Sequence, residues 1–160
     1  MRIRTSVLAG LACAALLVAC GGGGGGSSDE SGLPSGHAVV KVIEGWVNTL
    51  RRGDVEGAAG YFAVPSVVQN GTAPVVLHTR AETIAFNQAL PCGARLLRAQ
   101  PAGRFINATF RLTDRPGGGC GSGIGLLART AFVVRDGKIV QWRRLPNPPG
   151  QEPAPTGPVV

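Results

Sequence analysis

Chemistry needs titratable or nucleophilic side chains held in groups, and this chain has few to group. Its 160 residues include two histidines, His37 and His78, and four cysteines. There is no C-x-x-C redox pair, no cluster of His, Cys and acids at metal-ligand spacing, and no standout pair of carboxylates for acid–base work. No Ser or Cys nucleophile with a carboxylate orienter lies beside His78 in a recognisable pattern. The glycine-rich stretch over residues 117–125 lacks G-x-G-x-x-G spacing and leads into a strand pattern, so it is not a phosphate cradle. No apolar run approaches the roughly 20 residues that span a bilayer. No basic run interleaves with aromatics, and nucleic-acid binding is not expected. No cofactor is expected either.

What is present begins with an address. Arg2 and Arg4 precede an apolar run over residues 7–19, the layout of a secretory signal. Its end, Leu17-Val18-Ala19-Cys20, resembles a bacterial lipobox, in which the cysteine is acylated, with palmitate among the acyl chains, and becomes the mature N-terminus. An ordinary signal peptide with an incidental cysteine is the plainer alternative. Acyl chains anchor by burying CH₂ groups at about 0.8 kcal/mol each, so several on one cysteine hold firmly. The expected organisation is a signal over 1–19, a lipidated Cys20 with a Gly/Ser leash over 20–36, a domain over 37–146 and a proline-rich tail over 147–160. The expected location is the cell envelope, lipid-anchored to a membrane. The formal charge of +7 includes the two signal arginines; without them fourteen basic residues face nine acidic ones, a balance of +5 scattered through helices and strands. Attraction to an anionic membrane surface stays open on that balance.

Cys13 leaves with the signal and Cys20 takes the lipid, so Cys92 and Cys120 remain in the domain. An even pair in an exported domain implies a disulfide.

Hydrophobic periodicity sets the elements. Val39, Ile43, Trp46, Val47 and Leu50 form one stripe of a helix of about fifteen residues, with Gly45 as its weak point. Gly53 suits the residue after that helix, and Asp54 caps a second over residues 55–63 that puts Ala58, Ala59 and Phe62 on one face. Short strands follow over 66–69 and 75–78, the second after an edge-marking Pro74. Thr79-Arg80-Ala81-Glu82 is a capping box that opens a third helix, stopped at Leu90-Pro91. Alternating strands occupy 94–100 and 104–114. The last hairpin, over 126–145, turns at Asp136-Gly137, a dipeptide suited to a type I′ turn. That turn pairs Arg135 with Lys138. Strict alternation then puts Ala128, Thr130, Phe132, Val134, Ile139, Gln141, Arg143 and Leu145 on one face. Arg129, Ala131, Val133, Val140, Trp142 and Arg144 take the other. The whole reads as α+β, with three N-terminal helices on one face of a curved antiparallel sheet.

In this order the chain resembles the nuclear transport factor 2-like (SnoaL-like) superfamily. The resemblance rests on Leu50-Arg51-Arg52-Gly53-Asp54-Val55, on Tyr61-Phe62-Ala63 and on Asp136-Gly137-Lys138-Ile139-Val140. It implies a cone-shaped fold enclosing a pocket, and in many members a dimer through the outer sheet face. The isomerases of that superfamily carry a tyrosine where this chain has Trp46, and a general-base aspartate where it has Asn70. Their second acid falls loosely on Arg129. Trp46 offers no phenol and Asn70 takes no proton near neutral pH, so that chemistry is not expected. The pocket implied by resemblance would be lined by Trp46, Asn70, Arg129, Val133, Val140 and Trp142. Two readings stay open: a pocket for a small apolar or anionic molecule, or a cone filled by Trp46 and Trp142 with Arg129 snorkelling to the rim.

The first functional expectation is therefore a membrane-anchored lipoprotein with a non-catalytic domain that binds a small hydrophobic ligand or an envelope protein. The alternative is a SnoaL-like isomerase, cyclase or hydrolase with His78 as its weak catalytic candidate. A third expectation is a homodimer.

Overall fold

The computed structural model describes residues 36–147. The signal, Cys20, most of the Gly/Ser leash and most of the proline-rich tail lie outside the described residues. Helix α1 spans Gly36–Arg51 and buries the expected stripe, Val39, Ile43, Trp46, Val47 and Leu50. Its Gly45 has a purpose: a Cβ there would sit 2.6 Å from the Tyr61 ring. Helix α2, Val55–Ala59, is capped by Asp54, whose carboxylate accepts from the Gly57 N–H.

Strand β1, Phe62–Gln69, follows directly, then β2, Val75–Leu77. The second helix thus stops four residues earlier than its sequence suggested. Phe62 is buried in β1 opposite Ile139 instead of on a helix face, because strand pairing across the sheet outweighs a weak helical preference. Pro65 lies inside β1, after a cis peptide bond. Helix α3, Arg80–Ala89, has its capping box: Glu82 N–H donates to Thr79 Oγ1 and Thr79 N–H donates to the Glu82 carboxylate. Its C-terminal end is held by Arg115, a buried guanidinium that donates to the carbonyls of Gln88 and Leu90. A cation there complements both the unpaired carbonyls and the helix dipole.

Strands β3, Gly93–Ala102, and β4, Phe105–Thr113, are followed by the glycine-rich loop and a short 3₁₀ turn at Gly121–Gly123. The last hairpin is β5, Leu127–Arg135, and β6, Lys138–Leu145. Asp136 and Gly137 both have positive φ, 49° and 69°, as the type I′ turn requires. The curved six-stranded sheet runs β2-β1-β6-β5-β4-β3. Every pairing is antiparallel except β1 with β6, which is parallel and which periodicity did not foretell.

One irregularity governs everything downstream. Val134 pairs with Ile139, but Val133 pairs with Gln141, so Val140 is an extra residue in β6. A bulge of one residue moves all later side chains to the opposite face. Phe132 then faces Trp142, and Thr130 faces Arg144, on the side packed against the helices. Gln141, Arg143 and Leu145 take the outer side with Arg129, Ala131 and Val133. Burying Trp142 beside Phe132 is the gain that strict alternation forgoes.

Candidate functional site

Between α1 and the inner face of the sheet lies a cavity of about 260 Å³. Trp46, Val47 and Leu50 of α1 form one wall, and Leu90, Pro91 and Cys92 close a second where α3 meets β3. Strands β3 to β5 contribute Ala94, Phe110, Leu112, Ala128 and Thr130, β6 contributes Trp142 and Arg144, and Asn70 stands just beyond β1. The aromatic rings meet edge to face. Trp46 lies 6.1 Å from Phe62, 6.3 Å from Phe110 and 5.6 Å from Phe132, and Phe86 lies 5.2 Å from Trp142. Such pairs add about 0.5–1.5 kcal/mol each beyond buried area.

The polar atoms buried around the cavity divide into paired and unpaired. Trp46 Nε1 donates to Asn87 Oδ1 at 2.9 Å, and Asn87 Nδ2 donates to the Thr83 carbonyl at 2.9 Å. Asn87 is fully buried, and this relay ties α1 to α3. Trp142 Nε1 is buried with no acceptor among the described residues. Leaving such a donor unpaired costs about 1–3 kcal/mol. Arg144 is half-buried, and desolvation pushes its pKa down. It donates to the neutral Asn147 Oδ1 at 3.0 Å. No Asp, Glu, His or Lys lines the cavity, so Arg144 is its one ionisable side chain. Among the described residues no group of three or more His, Cys, Asp or Glu is placed to hold a metal ion.

Of the residues expected to line a pocket, Trp46, Asn70 and Trp142 come together here. Arg129, Val133 and Val140 do not. The correction has one cause, the bulge at Val140, which separates Trp142 from Arg129 and Val133 and delivers Arg144 in their place. Trp46, half of the proposed core filling, is a wall whose polar end is already engaged. His78 is exposed at the start of α3, its backbone N–H bonded to Glu82, and it is not part of the cavity. Cys92 and Cys120 form a disulfide, with Cα atoms 4.5 Å apart, and Cys92 lines the cavity. Sequence reasoning missed Arg144, Thr130 and Asn87. A tryptophan one residue out of phase with Phe132 was the available signal, since it belongs with that ring rather than with two arginines.

Several solved structures superpose on this fold. A protein of unknown function from Burkholderia xenovorans, named as nuclear transport factor 2-like, superposes with a TM-score of 0.52 at 14% identity. That match covers 73% of this chain and 88% of the other. The fold is nuclear transport factor 2-like. A de novo designed protein with a curved sheet is also similar, with a TM-score of 0.56 at 19% identity over 72% of this chain and 89% of the designed one. So is a protein provisionally named a polyketide cyclase from Xanthomonas campestris, with a TM-score of 0.50 at 18% identity over 69% and 91%. Identities this low establish the fold and are silent on activity. No protein-family model matches the chain, and no curated protein matches it either.

Proposed function

We propose that this nuclear transport factor 2-like domain binds, without transforming, a small apolar molecule carrying one anionic or strongly accepting group. The observation that supports this is the lining: aromatic and aliphatic walls, with Arg144 the one charge and no group able to take or give a proton near neutral pH. An anionic or strongly accepting group beside Arg144 would pair the one charge of that lining. The volume lies just below the usual 300–1,000 Å³ of ligand sites, which limits the occupant to a small molecule. With the lipobox-like Leu17-Val18-Ala19-Cys20, the reading is of a binding lipoprotein held at the cell envelope. A protein provisionally named a polyketide cyclase shares the fold, but the cyclase, isomerase or hydrolase alternative needs an acid–base group that this cavity does not present.

The test is native mass spectrometry of the full chain, purified gently from its own host. One small molecule retained per protomer, lost in Arg144→Met, supports the reading. A bare chain from every growth condition counts against it, and conversion of the retained molecule on incubation would restore the enzyme. Labelled palmitate incorporated by the chain and lost in Cys20→Ser tests the anchor.

A further inference from the structure

The opposite face of the sheet is a separate feature. None of the six strands contains an Asp or Glu. The six acidic residues of residues 36–147, Glu44, Asp54, Glu56, Glu82, Asp114 and Asp136, all sit on helices, caps or turns. Register places Arg95 opposite Arg111 and Arg98 opposite Thr109, itself opposite Arg129. These four share the outer face with Arg143, which pairs with Ala131. Arg104, from the β3–β4 turn, joins them by donating to Gln141. Arg95, Arg98, Arg104 and Arg111 are exposed, and Arg129 and Arg143 are half-buried. Six guanidiniums thus share one face with no carboxylate in any strand beside them.

We propose that this outer face docks on an anionic phospholipid bilayer. The arginines are spread in two dimensions. They cover four strands from β3 to β6, and Arg98 stands two strands, roughly 10 Å, from Arg129. A plane of phosphates meets such a field at many points, each guanidinium suited to bidentate contact with one phosphate. A single-stranded nucleic acid would instead need a cationic track with free aromatic platforms. The aromatic ring on this face, Phe105, is covered by Arg104 at 4.9 Å and Arg143 at 5.5 Å. A protein partner would want a charge-depleted apolar centre, whereas here Arg129 and Arg143 occupy the central strands. A second copy of this chain would set arginines against arginines, which opposes the outer-face dimer that the resemblance implied. The proposal is independent of the cavity and of Cys20.

The experiment uses residues 32–160, which contain the whole core cluster and the disulfide. Without Cys20, no acyl chain contributes. Co-sedimentation is measured with vesicles of phosphatidylcholine alone and of an equal mixture with phosphatidylglycerol. Binding to the mixed vesicles only is expected, lost as salt nears 1 M, where the Debye length is about 3 Å. Arg98→Gln, Arg111→Gln and Arg129→Gln should each weaken binding about five-fold. The salt and lipid dependence of the unaltered chain decides the matter even if a variant folds poorly. Equal binding to neutral vesicles, no binding to either, or full binding by the triple glutamine variant overturns the proposal. Capture of polyaspartate or an oligonucleotide without vesicle binding overturns it in favour of that partner.

Discussion

The two faces of this sheet are made from the same strands and share almost no chemistry. The inner face joins Phe110, Phe132 and Trp142 to Trp46 of α1 and admits one half-buried arginine, Arg144. The outer face carries six arginines and a covered Phe105. Strand β5 alone sends Ala128, Thr130, Phe132 and Val134 inward, and Arg129, Ala131 and Val133 outward. A strand is two surfaces read alternately, and a single inserted residue exchanges them. Trp142 and Arg144 belong to the cavity because Val140 is bulged; otherwise they would belong to the arginine face.

Inserting one alanine after Val140 is the most direct way to break that contrast, because a single bulge then no longer brings Trp142 opposite Phe132. Trp142 and Arg144 would turn outward and Gln141 and Arg143 inward, and the expected loss exceeds about 5 kcal/mol, or folding altogether, by denaturant titration. Trp46→Ala comes next, at about 3–5 kcal/mol, since it empties the centre of the aromatic cluster. Asn87→Ala sharpens it by removing the acceptor of Trp46 Nε1 together with the donor to the Thr83 carbonyl, at about 1–3 kcal/mol. Replacing both Cys92 and Cys120 by serine opens a closed loop with a sequence separation of 28 and should cost about 3–4 kcal/mol. A cost under about 1 kcal/mol would mean that the cavity's second wall stands without its staple.

Arg144→Met separates function from stability. Burial lowers the pKa of this guanidinium, so its charge opposes folding at any pH below that lowered value. Removing the charge should therefore leave the unfolding free energy within about 1 kcal/mol, or raise it, while retention of an anionic ligand falls at least ten-fold. At the small end, Arg98→Gln on the outer face should change stability by under about 0.5 kcal/mol. A larger loss there would show that the arginine face is structural.

Most of the element order was legible. The α1 stripe, the Thr79–Glu82 capping box, the Asp136-Gly137 turn and the Cys92–Cys120 pair are each specified within a few residues or by elimination, and all four are present. The boundary between α2 and β1 was not, because Val55 to Phe62 satisfies a helical face locally and only Ile139, 77 positions beyond Phe62, offers it a strand partner. The cavity was half legible. Trp46, Asn70 and Trp142 do line it, and Arg129, Val133 and Val140 were drawn in by an alternation that the bulge interrupts. The arginines looked scattered along the chain, since nothing in their spacing says that four strands will lie side by side.

By itself, then, the sequence determined the helices, turns, caps and disulfide, whose causes act over a single turn or follow from counting cysteines. Tertiary structure alone decided the parallel pairing of β1 with β6, the bulge at Val140, the choice of Arg144 over Arg129 as the cavity's cation, and the assembly of six arginines on one face. Those outcomes depend on which register buries Trp142 and Phe132 together, a packing energy shared among segments far apart in the chain and invisible in any one of them.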